Sequence, residues 1–127
     1  DIRTKWLVMA IVFTTVEVIN NYIEDIITGF GALCIYLGNL EKAEKIFNSV
    51  IRSEPQHVSA HFYLATVFYK QNEFELAENE LNAVIRLNPK HLESHYNRAA
   101  LYFYQEKFDL SKIGFKTVIG LDPKHVY

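Results

Sequence analysis

The chain has 127 residues, of which 50% are hydrophobic, and this length and composition fit one folded domain with a packed core. Thirteen basic and fifteen acidic side chains give a formal net charge of −2 without any block of like charge, so nothing predicts a nucleic-acid partner. The single cysteine, Cys34, excludes an internal disulfide and a zinc site made of cysteines alone, and we assign it to the core.

The most apolar stretch lies near the N-terminus, where residues 6–13 read WLVMAIVF. Eight apolar residues fall far short of the ~20 that a membrane-spanning helix requires, so we do not predict a spanning helix. A helix lying on a membrane normally pairs its apolar face with Lys and Arg, and none occurs between Trp6 and Tyr22. Apolarity on all sides predicts that the stretch is covered, by the rest of the chain or by a partner.

A fixed period runs through the remainder of the chain. The same interval separates Pro55 from Pro89 and Pro89 from Pro123, and it also relates the five histidines to one another. Residues 58–91 and 92–125 share eleven identities without a gap, and residues 24–57 align with both. Such a period predicts stacked units that bury their apolar faces against their neighbours.

Each unit contains two amphipathic halves. In the middle unit, apolar residues recur at helical spacing over residues 64–68 and 76–85, and the polar stretch KQNEFE between them predicts a turn at Asn72. Pro89 prevents the second helix from continuing, because the residue before a proline avoids helical geometry. The expected unit is therefore helix, turn, helix.

These units resemble the tetratricopeptide repeat, which carries W-x-x-L-G-x-x-Y, A-x-x-x-F and P over roughly 34 residues. The middle unit reads His61-x-x-Leu64-Ala65-x-x-Phe68, Ala77-x-x-x-Leu81 and Pro89. The units on either side read Ile27-x-x-Phe30-Gly31-x-x-Cys34, Ala43-x-x-x-Phe47, Pro55 and His95-x-x-Arg98-Ala99-x-x-Tyr102, Ser111-x-x-x-Phe115, Pro123. The resemblance implies an all-α fold, a right-handed α-solenoid of stacked helix-turn-helix repeats at 24–57, 58–91 and 92–125, with 126–127 as a tail.

The two ends of the array depart from the pattern. Residues 1–23 are expected to form an apolar helix, and the same register makes residues 7–20 the second helix of a truncated repeat, with Met9 in a column of small residues. The Val, Ile and Thr content of this stretch would suit a strand equally well on propensity alone. In the last repeat, Arg98 occupies an apolar column, and Gly114 and Gly120 lie inside the second helix, each costing ~1 kcal/mol relative to alanine. We expect the last repeat to be the least stable.

Histidines four residues apart, at 57 and 61 and again at 91 and 95, suggest a zinc or nickel site. Such a site needs further ligands and an orienting second shell, which the sequence does not supply. His61 and His95 occupy the column of a large packing residue, and the other histidines lie in the connecting turns. We therefore predict structural histidines, with no metal and no cofactor.

Catalytic motifs are absent from the sequence. It contains no glycine-rich phosphate loop, no nucleophile elbow and no H-E-x-x-H motif, so we predict that the protein is not an enzyme.

The resemblance implies that the first helix of each repeat lines a concave groove. Aromatic residues are frequent at the groove positions, although some of these rings are expected to serve helix packing only. The predicted partner-binding residues are Tyr36, Phe62, Tyr63, Thr66, Tyr69, Lys70, Tyr96, Asn97, Phe103 and Tyr104.

One subclass of the family clamps the C-terminal carboxylate of chaperone peptides with lysine, arginine and asparagine at fixed places. Those places hold Thr28, Ala32, Tyr63, Glu93 and Asn97, so the carboxylate would find no cation. We predict that this chain does not bind chaperone tails in that mode.

The leading hypothesis is a non-enzymatic interaction module, a scaffold or assembly factor that binds a peptide or amphipathic helix of a partner protein in this groove. The alternative is a membrane-associated assembly component that docks through its N-terminal apolar segment. Packing of residues 6–19 on residues 27–37 would remove the support for that alternative. We expect a location on the cytoplasmic side of the cell.

Overall fold

Six α-helices account for most of the chain in the computed structural model, which describes residues 1–126 and the side chains through residue 124. They are α1 (Ile2–Tyr36), α2 (Leu40–Ser53), α3 (Val58–Lys70), α4 (Phe74–Leu87), α5 (Leu92–Tyr104) and α6 (Phe108–Leu121), followed by a short 3₁₀ helix (Pro123–Val126). Consecutive helices pack as the pairs α1–α2, α3–α4 and α5–α6, and α2 and α4 also contact the helix that follows them. The prediction of an all-α fold made of helix pairs is confirmed, whereas the His125 side chain and the end of the predicted tail lie outside the described residues.

The turn inside each pair has the same construction. Gly38, Asn72 and Glu106, which occupy equivalent positions in the three repeats, have positive φ angles of 81°, 62° and 59°. The next amide N–H of each turn reaches back to a carbonyl oxygen five residues earlier, from Asn39 to Cys34 at 2.9 Å in the first. This is the Schellman end of a helix, which needs a left-handed residue at that position. The turn predicted at Asn72 is therefore confirmed.

Small residues let the helices of each pair approach closely. A Cβ atom built on Gly31 would lie 2.7 Å from the Phe47 ring, and one built on Gly114 would lie 2.7 Å from the Ala99 Cβ. Ala99 is also fully buried, and its carbonyl oxygen accepts a 2.9 Å hydrogen bond from the Ser111 hydroxyl. The treatment of Gly114 as only a helix-weakening residue was therefore wrong, because α5 occupies the space that a side chain would need.

The core consists of two clusters that follow the stacking. One joins α1, α2 and α3 through buried residues that include Cys34, Phe47 and Leu64, which agrees with the assignment of the cysteine to the core. The other joins the second and third repeats through Ala65, Ala77, Leu81 and Leu101. Arg98, which interrupts the apolar column, donates a 2.9 Å hydrogen bond to the Asn82 side-chain oxygen, so its polar group is satisfied across α4 and α5.

The N-terminal region differs from the expectation of a truncated repeat. Residues 2–36 form one continuous helix, so no turn allows residues 7–20 to fold back as a separate second helix. Only Thr28, Gly31 and Cys34 of α1 are buried, and residues 6–19 do not pack on residues 27–37. An 18-residue window of α1 has a mean hydropathy of 1.5 and none of it is buried, so by length and composition this helix is apolar enough to cross a membrane.

The histidines make structural hydrogen bonds at the starts of α3 and α5. His57 and His91 cap α3 and α5, because their Nδ1 atoms accept the Ala60 and Ser94 amide N–H groups at 3.1 and 3.2 Å. The Nε2–H groups of the two other described histidines donate to proline carbonyl oxygens six residues earlier, from His61 to Pro55 at 2.8 Å and from His95 to Pro89 at 2.7 Å. These nitrogens are thus used in holding the inter-repeat turns.

His61 is distinguished by a carboxylate partner. Its Nδ1 lies 2.6 Å from Glu80 Oε2, while its Nε2 faces the Pro55 carbonyl oxygen. Because both partners accept hydrogen bonds, the two bonds form together only when both ring nitrogens carry protons. The hydrogen bond to Glu80 is the main cause that raises the His61 pKa above 6.5, with burial opposing it and the Pro55 carbonyl reinforcing it.

We predict that the Gly114→Ala substitution lowers the free energy of unfolding by ~1–3 kcal/mol, because its methyl group would collide with Ala99. The matched control is Gly120→Ala in the same helix, where nothing lies within 4 Å of the added Cβ. This control should raise the stability, by up to ~1 kcal/mol, through better helix propensity. Urea titrations followed by circular dichroism measure both changes, and equal effects would contradict the close approach.

We also predict that the loss of stability caused by Glu80→Gln depends on pH. The pKa of His61 is raised in the folded state, so its contribution is fully present below the unfolded pKa of about 6.5 and is lost as the pH rises through the folded pKa. The difference in unfolding free energy between wild type and Glu80→Gln should therefore be larger near pH 6 and become smaller as the pH rises through the folded pKa of His61.

Glu78→Gln provides the control for this experiment, because Glu78 accepts its 2.9 Å hydrogen bond from the Tyr102 hydroxyl rather than from a histidine. The difference between wild type and this variant should stay constant between pH 6 and 8. A Glu80→Gln difference that grew with pH would contradict the charged His61–Glu80 pair.

Candidate functional site: a groove along the first helices

Two adjoining cavities run across the first helices of the three repeats. The outer cavity, between α1 and α3, has a volume of about 460 Å³, and the inner cavity, between α3 and α5, has a volume of about 410 Å³. Thr66 and Lys70 line both cavities, so the two cavities adjoin at these residues, and we call them together the groove. The outer cavity is also lined by Ala32, Ile35, Tyr36, Phe62 and Tyr63, and the inner one by Ala65, Tyr69, Ala77, Leu81, Tyr96, Asn97, Ala100, Leu101 and Tyr104.

The walls of the inner cavity carry aromatic rings that are well exposed. Tyr69 and Tyr104 both line it and contact each other, with ring centroids 6.1 Å apart and an interplanar angle of 50°. The pKa of Tyr69 is raised, first by a hydrogen bond to Tyr104 and then by burial. Tyr96 stands on the same helix as Tyr104 and packs edge-on against Phe115 at 5.6 Å. Such amphipathic rings offer both apolar contact and a hydroxyl to a ligand.

The outer cavity has rings that are held more firmly. Tyr63 stacks on Phe47 of the core with ring centroids 5.6 Å apart, and Phe62 lies against both Tyr63 and His91 at 5.8 and 5.2 Å. Tyr36, in contrast, is 87% exposed at the end of α1. The outer cavity therefore combines two anchored rings with one ring that is free to rearrange around a ligand.

The floor of the inner cavity is apolar and was not recognised as part of the site from the sequence. Ala65, Ala77 and Leu81 were placed only in the repeat pattern, and Leu101 was not singled out; all four are buried and also line this cavity. The sequence signal that could have indicated the cavity is the pair of alanines, Ala65 and Ala77, because small side chains leave open volume between helices.

The structure brings nine of the ten predicted groove residues together on these two cavities, and Phe103 is the exception. Its ring packs edge-on against Phe108 of α6, with centroids 5.5 Å apart, and it lines neither cavity. The equivalent residue one repeat earlier, Tyr69, lines the inner cavity because α5 stands opposite it. No further repeat follows α5 and α6 among residues 1–126, so Phe103 has no opposite wall.

The charge of the groove is simple. Among the residues that line either cavity, Lys70 is the only ionisable acid or base other than tyrosine. Asn97 adds an amide to the inner cavity. These lining residues therefore offer one cation, several hydroxyls and an apolar floor, and they contain no arrangement of nucleophile and base.

No group of three or more His, Cys, Asp or Glu side chains that could hold a metal ion occurs in the part of the chain that the structure describes. His57 approaches the Asp25 carboxylate at 3.5 Å, but its other nitrogen caps α3. In each histidine pair, at 57 and 61 and at 91 and 95, one ring caps a helix and the other binds a carbonyl oxygen of the connecting turn.

Solved structures with the same fold are repeat proteins. The first TPR of Spaghetti (RPAP3) bound to the HSP90 peptide SRMEEVD matches with a TM-score of 0.75 at 19% identity, covering 79% of each chain. YrrB, described as a TPR protein with an unusual peptide-binding site, matches with a TM-score of 0.74 at 19% identity over 80% of this chain and 53% of its own. A tetratricopeptide repeat protein from Parabacteroides merdae ATCC 43184 matches with a TM-score of 0.76 at 22% identity over 81% of this chain.

The chain spans about half of YrrB and 40% of the Parabacteroides protein, so it corresponds to part of those longer repeat proteins. These matches show that the fold is that of the tetratricopeptide repeat, as the residue pattern predicted. A comparison with curated proteins found no match.

One family model matches the sequence itself, over residues 36–110, which is more than half of the chain. Its description is "Anaphase-promoting complex, cyclosome, subunit 3", and the matched residues run from the end of α1 into α6. The protein therefore belongs to the family of tetratricopeptide-like repeat proteins that this model of anaphase-promoting complex, cyclosome, subunit 3 describes.

Proposed function

We propose that the protein is a non-enzymatic interaction module, acting as a scaffold or assembly factor, that binds a segment of a partner protein along the groove formed by α1, α3 and α5. The observation that carries this proposal is that the two cavities adjoin at Thr66 and Lys70 and are lined by aromatic rings, several of which are exposed. An open apolar surface of this kind usually marks a contact site.

The shape of the groove suits an extended segment or one helix face. The inner cavity, about 410 Å³, is large enough for one bulky apolar side chain of the partner, which would rest on the floor of Ala65, Leu81 and Leu101. The contacting rings of Tyr69 and Tyr104 would form one wall beside that side chain. The outer cavity would take a second side chain between Tyr36 and Phe62.

Lys70 indicates the charge of the partner. It lies where the two cavities meet and is the only charged side chain among the described residues that line them, so an Asp or Glu of the ligand placed between the two apolar side chains would pair with it. The partner segment is thus expected to alternate an apolar, an acidic and an apolar residue.

The peptides named for the similar solved structures support peptide binding as a general use of this fold, although identities of 19% carry no specificity from one protein to another. The chaperone-tail mode remains disfavoured. Thr28, at the first clamp position, is buried and donates its hydroxyl to the Glu24 carbonyl oxygen at 2.7 Å. No cation stands at the places where that mode needs one.

The test begins with a library of peptides displayed on phage and selected on the immobilised protein, followed by fluorescence anisotropy with the selected peptides. Tyr69→Ala should weaken the binding of a selected peptide about tenfold or more, because it removes one wall of the inner cavity. Lys70→Gln should weaken binding less and make it less sensitive to salt.

Phe103→Ala is the matched control, because Phe103 is an exposed aromatic residue of the same face that lines neither cavity. It should leave the affinity within about twofold of wild type, since rim contacts outside a hot spot contribute little. Failure to select any peptide, or equal losses for Phe103→Ala and Tyr69→Ala in folded variants, would contradict the proposed groove.

A further inference from the structure

The N-terminal part of α1 projects from the repeats with apolar residues on all sides. Trp6 and Phe13 are 68% and 72% exposed, and no residue of the 18-residue apolar window is buried. Successive helical residues point about 100° apart, so the consecutive apolar residues Leu7, Val8, Met9 and Ala10 cover the whole circumference. One protein groove or one partner helix covers a single side of a helix, whereas a helix that is apolar all round is covered on every side, as in a protein core or in lipid.

The length and the ends of this segment fit a bilayer. Residues 6–23 span about 27 Å at 1.5 Å per residue, close to the ~30 Å of a hydrocarbon core. Trp6 and Tyr22 stand at the two ends, where aromatic side chains prefer the membrane–water interface. Arg3 and Lys5 lie beyond one end, and Glu24 and Asp25 lie beyond the other, so the charges flank the apolar segment.

The polar side chains inside the segment are few, and the hydroxyls of its two threonines are hydrogen-bonded within the helix. The Thr14 and Thr15 hydroxyls donate to the carbonyl oxygens of Ala10 and Ile11 at 2.9 and 2.7 Å, which leaves no free donor on either threonine to face lipid. Glu17 is the one ionisable side chain between residues 6 and 21. Asn20 and Asn21 lie three and four residues after it, so these three polar side chains share one side of the helix, and the other sides carry apolar residues.

The segment is also rigidly joined to the repeats. α1 continues without a break from residue 6 to the buried positions Thr28, Gly31 and Cys34, which pack in the first repeat. The C-terminal part of α1 is therefore fixed in the core, and the apolar N-terminal part extends from the first repeat along the same helix axis.

We propose that residues 6–23 of α1 span the hydrocarbon core of a lipid bilayer and hold the repeats beside the membrane. Four features of the segment fit lipid as its surroundings: its apolarity on all sides, its length, the aromatic residues at its ends and the charges that flank it. This inference goes beyond the groove and does not depend on the peptide that the groove binds.

The experiment reconstitutes the full chain from mild detergent into phosphatidylcholine vesicles, floats them in a density gradient and then extracts the floated fraction with alkaline carbonate. Wild type should float with the vesicles and resist extraction. Val12→Arg/Val16→Arg should lower the resistant fraction at least tenfold, because two charges at the centre of the segment oppose insertion.

The control is Leu110→Arg/Ile113→Arg, which places the same two charges on exposed apolar residues of α6, away from the segment. It should float and resist extraction like wild type, and circular dichroism should show that both variants are helical. Wild type that is released by carbonate, or that stays in the aqueous phase as an oligomer by light scattering, would overturn the proposal. The oligomer would instead indicate that copies of the chain cover residues 6–23.

Discussion

The close approach of paired helices at small residues is the contact on which the other features depend. Gly31 lies against the Phe47 ring, and Gly114 lies against Ala99, with no space for a side chain at either glycine. Because these contacts set how each first helix lies on its second helix, they also set how α1, α3 and α5 stand beside one another. The groove is the space left between those three helices, so its width follows from residues that a ligand never touches.

Much of the fold was predictable because the same pattern of apolar, small and turn residues occurs in three repeats. The turn at Asn72, the helix pairs and the buried Cys34 all follow from spacing and amphipathic pattern. What the pattern missed depends on neighbours rather than on sequence columns. Phe103 occupies the column of Tyr69, but a cavity needs an opposite wall, and α5 has none within residues 1–126. Gly114 was read as a weak helix residue because its partner, Ala99, is fifteen residues away in the sequence.

The N-terminal prediction failed for a different reason. Extending the repeat register backwards assumed that a turn separates residues 7–20 from the first repeat, and no glycine or proline lies between residues 1 and 28 to end a helix. The chain therefore continues helically from Ile2 to Tyr36. Counting only the unbroken run at residues 6–13 likewise underestimated the apolar length of this helix, since the threonines at 14 and 15 satisfy their hydroxyls within it.

The charged His61–Glu80 pair shows how repeats with one backbone differ in chemistry. One period before, the two positions are Ile27 and Ile46, and one period after they are His95 and Gly114. His95 keeps the hydrogen bond to its proline carbonyl, but its Nδ1 is buried without a partner in the described part of the chain, because glycine has no side chain to reach it. The middle repeat therefore carries the complete polar bridge, and it also contributes Tyr69 and Lys70 to the groove.

The continuity of α1 has a mechanical consequence. The same helix that carries the exposed apolar segment ends at Tyr36 and supplies Ala32, Ile35 and Tyr36 to the wall of the outer cavity. Residue 23 and Tyr36 are thirteen residues apart, about 20 Å along a helix. The continuous helix has no hinge between these two regions, so the direction in which residues 6–23 point and the position of this wall of the groove are fixed together.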